Sequence, residues 1–297
     1  MSEPVLFSIV IPSYNRAAFI ARVIQKFLEQ IYPHFELIIV DDGSTDNTGE
    51  VVKAINDDRV RYFRKENGER GAARKFGAAQ AKGDYINYFD SDDLAYPDHL
   101  QKAVELVTEK NTPAFFHLGF EYRDEQGKLI SRPETVTGKG NDRMLKVNYI
   151  NPNPVFVHRS ALAEVNYCED RRLAATEDWL YHLQLIARYE LVAAGDKITS
   201  CMVQHDQRSM SQYNGDKVLD RNRILLEKLE EDTVFMKKYG NHLDVISAEM
   251  FGLAALHYAL EKKKGKAVKT LLQAIRQSPT QLFKRRTLAV LKYCIIN

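Results

Sequence analysis

Up to Phe89 the chain alternates short runs of β-branched and aromatic residues with longer stretches whose apolar residues recur at helical spacing, and this constrains the fold most. Phe7–Ile11, Glu36–Val40, Val60–Phe63 and Tyr85–Phe89 read as strands. Between them Ala17–Gln30, Thr45–Asn56 and Gly71–Ala81 read as helices, with Ser44 and Asp46 placed as caps before the second. Such alternation means βαβ units, hence an α/β fold with a mostly parallel sheet flanked by helices. Ligands of these sheets gather at the carboxyl ends of the strands.

Farther on, Pro97–Lys110 predicts a helix, and Phe115–Tyr122 with Lys128–Ser131 a hairpin through Asp124–Gly127. Asn151-Pro-Asn-Pro154 breaks the chain before a short strand, Val155–His158, and Glu177–Tyr189 is a helix with an acidic start. After about Gly215 the pattern is helical, in stretches near 216–239, 242–263, 266–277 and 280–295. With 28% charged and 44% hydrophobic residues, the 297-residue chain is neither a disordered tail nor a collagen. Cys168, Cys201 and Cys294 are too scattered for a disulfide framework or a zinc site. No secretory signal opens the chain, and no stretch approaches the roughly 18 apolar residues of a spanning helix, so a cytoplasmic location is expected. From Glu261 to Asn297 ten basic residues face one acidic residue, a local charge of +9 that leaves −7 for residues 1–260 out of the total +2. A basic tail on an acidic body predicts an anionic partner surface, membrane or nucleic acid.

Acidic residues collect where strands end. Asp41-Asp42-Gly43-Ser44 follows the second strand and Asp90-Ser91-Asp92-Asp93 the fourth. Carboxylates one residue apart at a strand terminus can converge on Mg²⁺ or Mn²⁺, whose shell is completed by water and substrate phosphate, so a diphosphate ligand is expected. The plainer alternative is that both segments are turn formers. Two such clusters at the strand ends of one sheet favour a site.

Phe7-Ser-Ile-Val-Ile-Pro-Ser-Tyr-Asn15, Glu36-Leu-Ile-Ile-Val-Asp-Asp-Gly-Ser-Thr-Asp-Asn47 and Ala79-Gln-Ala-Lys-Gly-Asp-Tyr-Ile-Asn-Tyr-Phe-Asp-Ser-Asp-Asp93 resemble, in order, three blocks of the family 2 glycosyltransferases with the GT-A fold. The resemblance is strong over residues 5–110 and weaker to about 210. It implies that Pro12, Tyr14 and Asn15 surround the base and ribose of a nucleotide and that Asp42 meets a uracil edge. A carboxylate can accept the imide N–H of uracil, and a tyrosine ring can stack on its face. It further implies that Asp92 binds the metal bridging two phosphates, with Asp90 on the ribose or a metal-bound water and Asp93 as a substitute ligand or a helix cap. Arg70 and Arg74 fall where the family places a basic residue near the diphosphate.

Glu177-Asp178-Trp179 resembles the Glu-Asp pair that faces the sugar in these enzymes. The resemblance makes Asp178 the base of a single inverting displacement, with Glu177 positioning and Trp179 a platform for the acceptor sugar. Gln204–Ser211 occupies the place of a loop that closes on the donor. There His205 is a third metal ligand or a diphosphate contact, and Arg208 and Ser209 are candidates for the latter. Gln204 and Arg208 depart from the Gln-x-x-Arg-Trp motif of processive synthases. The expectation is a Rossmann-like GT-A domain over residues 1–210 and a helical, basic appendage over 211–297. Its activity is a Mn²⁺- or Mg²⁺-dependent inverting transfer from a nucleotide sugar, UDP-linked, to a glycan or lipid-linked glycan in cell-surface polysaccharide synthesis. The basic tail reads either as helices in peripheral contact with the inner face of the membrane or as an appendage packed on the catalytic domain with a solvated basic face, and nucleic acid is not an expected partner. The competing readings are a nucleotidyltransferase, which would want a Gly-rich loop that Pro12-Ser-Tyr-Asn15 lacks, and a nucleic-acid-binding protein using the basic tail.

Overall fold

The computed structural model describes residues 3–205 and 214–296. The chain divides into two compact units, one made of Met1–Asn141, Tyr149–Tyr181 and Tyr189–His205, the other of Asp142–Asn148, His182–Arg188 and Asp206–Asn297.

The first unit is built on one mixed sheet. Strands β1 (Phe7–Ser13), β2 (Phe35–Asp41), β3 (Val60–Arg64) and β4 (Tyr85–Tyr88) lie in the order β3-β2-β1-β4, all parallel. β1 and β2 are buried along their whole length, which is why they read as continuous apolar runs rather than alternating ones. Helices α1 (Ala17–Leu28), α2 (Thr48–Lys53) and α3 (Glu69–Gln80) make the crossovers. One core cluster joins Ile9, Ile11, Leu37 and Ile39 of the sheet to Ile20, Val23, Ile24 and Phe27 of α1. The chain enters at β1 and lays β2 on one side and β4 on the other, so the point where strand order reverses falls at the carboxyl ends of β1 and β4.

Past β4 come a two-residue strand β5 (Leu94–Ala95), helix α4 (His99–Glu109), strands β6 (Phe115–Asp124), β7 (Leu129–Ser131) and β8 (Thr137–Lys139), and a one-turn helix α5 (Asn141–Met144). Strand β9 (Val155–His158), helix α6 (Glu177–Arg188) and strand β10 (Val192–Gln204) follow. The sheet continues β4-β9-β6-β10-β5, with β9 antiparallel to both neighbours and β10 parallel to β6. The expected hairpin is β6 and β7, and the short strand at Val155–His158 is β9. Helix α2 is shorter than expected, and of its two cap candidates only Asp46 serves its first turn, through Thr48. Ser44 Oγ accepts the Asn15 N–H at 3.0 Å, and the Asp46 carboxylate accepts N–H groups from both Thr48 (3.0 Å) and Ala17 (3.2 Å). The longest strand, β10, was not expected at all.

In the second unit α7 (Gly215–Glu231), α10 (Lys264–Gln277) and α11 (Arg285–Ile296) pack on α9 (Leu243–Leu260), and α8 (Thr233–Tyr239) follows α7. Asp232 caps α8 through the N–H groups of Val234 and Phe235 and pairs with Arg188 at 2.8 Å. α9 buries Ile246, Met250, Ala254, Ala255 and Ala259. Within Thr233–Leu260 an 18-residue window reaches a mean hydropathy of 1.3, so one stretch does approach the length and composition of a spanning helix, contrary to expectation. Over half of that window, 56%, is buried, and α9 serves as the core of its unit. Within it lies Glu249, paired with Lys284 and, at 3.0 Å, with Arg286. Burial would raise its pKa, but the charges of Arg286 and Lys284 outweigh burial and hold the carboxyl below the ordinary carboxylate range.

Candidate active site

Four strand ends of the first unit supply the acidic and aromatic residues. After β1, Tyr14 stands 47% exposed while Pro12 is buried within the strand, paired in register with Val40. Asn15, in the left-handed region at φ 51°, receives the Thr45 N–H on its side-chain oxygen at 2.8 Å. It staples the loop after β1 to the loop after β2, and that oxygen is committed to the staple.

The two aspartates after β2 divide the work. Asp41 is internal: one oxygen accepts the Ser44 N–H at 2.7 Å and the other the Tyr62 hydroxyl at 2.6 Å. Burial and this carboxylate push the Tyr62 hydroxyl up to about 12. Asp42 is 3% exposed, and its Oδ1 accepts from Lys65 Nζ (2.8 Å) and from the Gly68 N–H (3.0 Å). Its second oxygen is an acceptor with no donor among the described residues. Lys65 and Gly68, after β3, went unnoticed in the sequence.

The acidic run after β4 also separates by role. Asp93 is fully buried, with one oxygen on Asn153 Nδ2 (2.7 Å) and the other on the Val203 N–H of β10 (2.9 Å). It is therefore neither a substitute ligand nor a helix cap but a strut between strand ends. Asn153 also accepts the Asp90 N–H at 2.8 Å, so the Asn-Pro-Asn-Pro break is a support for the acidic turn. Nearby, His99 bonds Thr199 Oγ1 at 2.8 Å, and burial drives its pKa down to about 3.

The Val203 bond fixes the end of β10 and brings His205 to Asp92. Nε2 of His205 lies 3.2 Å from Asp92 Oδ2, its ring stacks on Phe19 at 4.8 Å, and its side chain is 1% exposed. Nδ1 of His205 is buried with no partner among the described residues. Arg16 Nε stands 3.6 Å from the same Asp92 oxygen, another contact the sequence reading missed. No three or more His, Cys, Asp or Glu side chains converge among the described residues. The two donors nevertheless fit a divalent cation. A carboxylate oxygen and an imidazole nitrogen bound at adjacent octahedral positions stand about 3 Å apart, and such ions leave the remaining positions to water and phosphate. Arg208 and Ser209, the other candidates of that segment, lie outside the described residues.

Arg74 departs from its expected place at the diphosphate. Its side chain is 1% exposed, with Nη1 on Glu177 Oε1 and Nη2 on Asp90 Oδ1, both at 2.8 Å, and the guanidinium lies 5.0 Å over the Tyr167 ring. Burial opposes its charge, but Tyr167 and the carboxylates of Asp90, Glu177 and Asp178 outweigh that and raise its pKa above the usual value. Arg70, partly exposed, points to the same Glu177 oxygen at 3.8 Å. Helix α3 reaches this position because Gly71 lacks a side chain: a Cβ there would stand 2.3 Å from the Cys168 carbonyl oxygen.

At the start of α6, Asp178 is half-buried and accepts the Trp179 N–H at 2.8 Å, whereas Glu177 is 3% exposed. Ala175, just before them, holds φ at 73°, a strained value for alanine. Trp179 is 2% exposed and belongs to the core, so the expected acceptor platform is not there. Glu177 Oε2, Thr176 Oγ1 and the Tyr167 hydroxyl are buried without partners among the described residues. Such polar atoms usually meet a water or a ligand.

The model of glycosyl transferase family 2 matches residues 8–167. The chain belongs to that family. Its curated relatives include an uncharacterized glycosyltransferase of Rickettsia felis, 38% identical over 135 residues, or 45% of this chain and 22% of that one. GlyG of Streptococcus pneumoniae is 37% identical over 132 residues, 43% of each chain. TuaG of Bacillus subtilis, a glycosyltransferase named for teichuronic acid biosynthesis, is 31% identical over 182 residues, 59% of this chain and 71% of that one. The chain thus spans under half the length of several relatives. Among solved structures, residues 1–349 of Staphylococcus aureus TarS superpose with a TM-score of 0.69 at 18% identity, over 97% of this chain and 89% of that one. The Pyrobaculum calidifontis mannosyltransferase PcManGT, in complex with GDP-Man and Mn²⁺, gives 0.57 at 15% identity, over 100% and 89%. At these identities the likeness establishes the GT-A fold.

Proposed function

We propose that the protein is an inverting glycosyltransferase of cell-surface polysaccharide synthesis, taking its sugar from a UDP-sugar and acting at the cytoplasmic face of the membrane on a glycan or lipid-linked glycan. The observation that carries the reading is the gathering of Tyr14, Asp42, Asp90, Asp92 and His205 at the carboxyl ends of β1, β2, β4 and β10. TuaG's name supports the pathway class, and solved complexes of the TarS fragment with UDP-GlcNAc and UDP support the donor. In this reading the GT-A domain extends through residue 210 and the helical appendage begins at 211.

Tyr14 stacks on the base, and the second oxygen of Asp42 accepts its imide N–H. Asp90, held by Arg74, faces the ribose. Asp92 and His205 would hold Mn²⁺ or Mg²⁺, which would supply positive charge to offset that of the diphosphate. Asp178 takes the proton of the acceptor hydroxyl while that oxygen bonds the anomeric carbon and the bond from that carbon to the diphosphate oxygen breaks, inverting the centre. Glu177, locked by Arg74, positions this turn of α6.

Calorimetry tests the donor half: UDP should bind in a Mn²⁺-dependent manner, and His205→Ala should weaken Mn²⁺ binding by about tenfold to a hundredfold. Unchanged Mn²⁺ affinity would remove His205 from the site. For the chemistry, an α-linked donor should give a β-linked product, read from the anomeric proton by NMR.

A further inference from the structure

In the second unit the basic tail is sorted by direction. Lys284 and Arg286 turn inward to the buried Glu249, and Lys263 and Lys266 pair with Asp216. The neighbouring positions turn outward and are apolar as often as basic. Leu282 and Phe283 precede α11, and Phe283 is 89% exposed. On α11, Leu288 (65% exposed) and Leu291 share one face with Arg285 and Lys292, since these positions recur at three- and four-residue spacing. Thr287 and Val290, on the opposite side, are buried. Helix α10 repeats the arrangement, with Val268 and Leu272 exposed beside Lys269 and Arg276, and Ala267, Thr270, Leu271 and Ala274 buried. From Lys262 to Asn297 the sequence holds no acidic residue.

We infer that the outward faces of α10, α11 and the Leu282–Phe283 turn form a docking surface for an anionic lipid bilayer, with Phe283, Leu288 and Leu291 entering the acyl boundary and Arg285 and Lys292 on the headgroups. Charge and apolarity together select this occupant. A second copy would press cations against cations with no carboxylate in the segment to answer them. Nucleic acid would meet the cations but give no return for burying phenylalanine and leucine. A bilayer with anionic headgroups rewards both. The inference deepens the lipid-linked acceptor of the proposed function and rests on that reading for what the surface serves.

The test uses the full chain and vesicles of phosphatidylcholine with about 30% phosphatidylglycerol, whose negative surface potential attracts a polybasic face, in sedimentation without nucleotide sugar. The parent should bind these vesicles, should not bind pure phosphatidylcholine, and should lose affinity as salt is raised, because the headgroup attraction is screened. The double variant Phe283→Asp, Leu288→Asp should bind at least about tenfold more weakly. Both side chains face solvent, so the fold is not at issue, and an unchanged thermal melt checks this. Failure of the parent to bind anionic vesicles, or equal binding by the double variant, overturns the surface. So does self-association in analytical ultracentrifugation that the double variant abolishes, which would assign the face to a second copy. UDP binding measured on the same samples separates the two claims: vesicle binding without UDP binding sinks only the transferase reading, and the reverse sinks only the surface.

Discussion

Asp178→Asn is expected to slow sugar transfer by about 10²- to 10⁴-fold while leaving UDP affinity at the parent value. The substitution keeps the size of the side chain and an oxygen able to accept the Trp179 N–H, the bond that holds Asp178 at the first turn of α6. What it removes is the ability to take a proton. Transfer rates with one donor, set beside calorimetric UDP affinity, separate the two effects. Transfer at the parent rate would make Asp178 a helix-terminal residue and send the search for the base elsewhere. Equal losses in binding and transfer would place it on the donor instead.

The second large effect is on stability. Arg74→Met should destabilise the first unit by about 3–5 kcal/mol, because it strips a buried carboxylate of its cation rather than replacing the whole pair. Glu177 would keep only the partly exposed Arg70, 3.8 Å away. Trp179, the single tryptophan, is buried in that unit, so its fluorescence in urea follows the relevant transition. Arg74→Lys should recover only part of the loss, since an ammonium is a point charge and cannot fork between Asp90 and Glu177. A loss under about 1 kcal/mol would mean that the bridge is worth no more than a surface pair.

The strands and helices of the first hundred residues were legible because buried parallel strands and one-sided helices leave strong periodic signals. The clusters at Asp42 and Asp92 were legible for the same reason, as each follows a strand whose end the pattern fixes. Arg74 was misplaced because sequence shows a charge and not which way it turns. Its companion Arg70, four residues earlier, shares its helix face, and both reach Glu177. The platform at Trp179 conflicts with helix geometry readable beforehand: adjacent helical positions point about 100° apart, so Asp178 and Trp179 cannot both face one sugar. The strut from Asp93 to Val203 spans 110 positions and leaves no local trace. Nor did β10, whose Ala193-Ala-Gly-Asp-Lys197 breaks the two-residue alternation by which strands are read.

That irregular stretch of β10 bears on the proposed cation site. From Ala194 to Ser200 the strand passes six residues against two of β6, Leu118 to Phe120, bulging where Gly119 allows the Gly195 carbonyl to come close. Side chains alternate across a strand, so the number of residues stored in the bulge decides the parity of everything after it. An even surplus sends His205 toward Asp92. An odd one would turn the imidazole to the opposite face without altering a single ligand in the sequence. The length of the bulge, as much as the identity of the histidine, therefore encodes whether this strand end can take part in holding a cation.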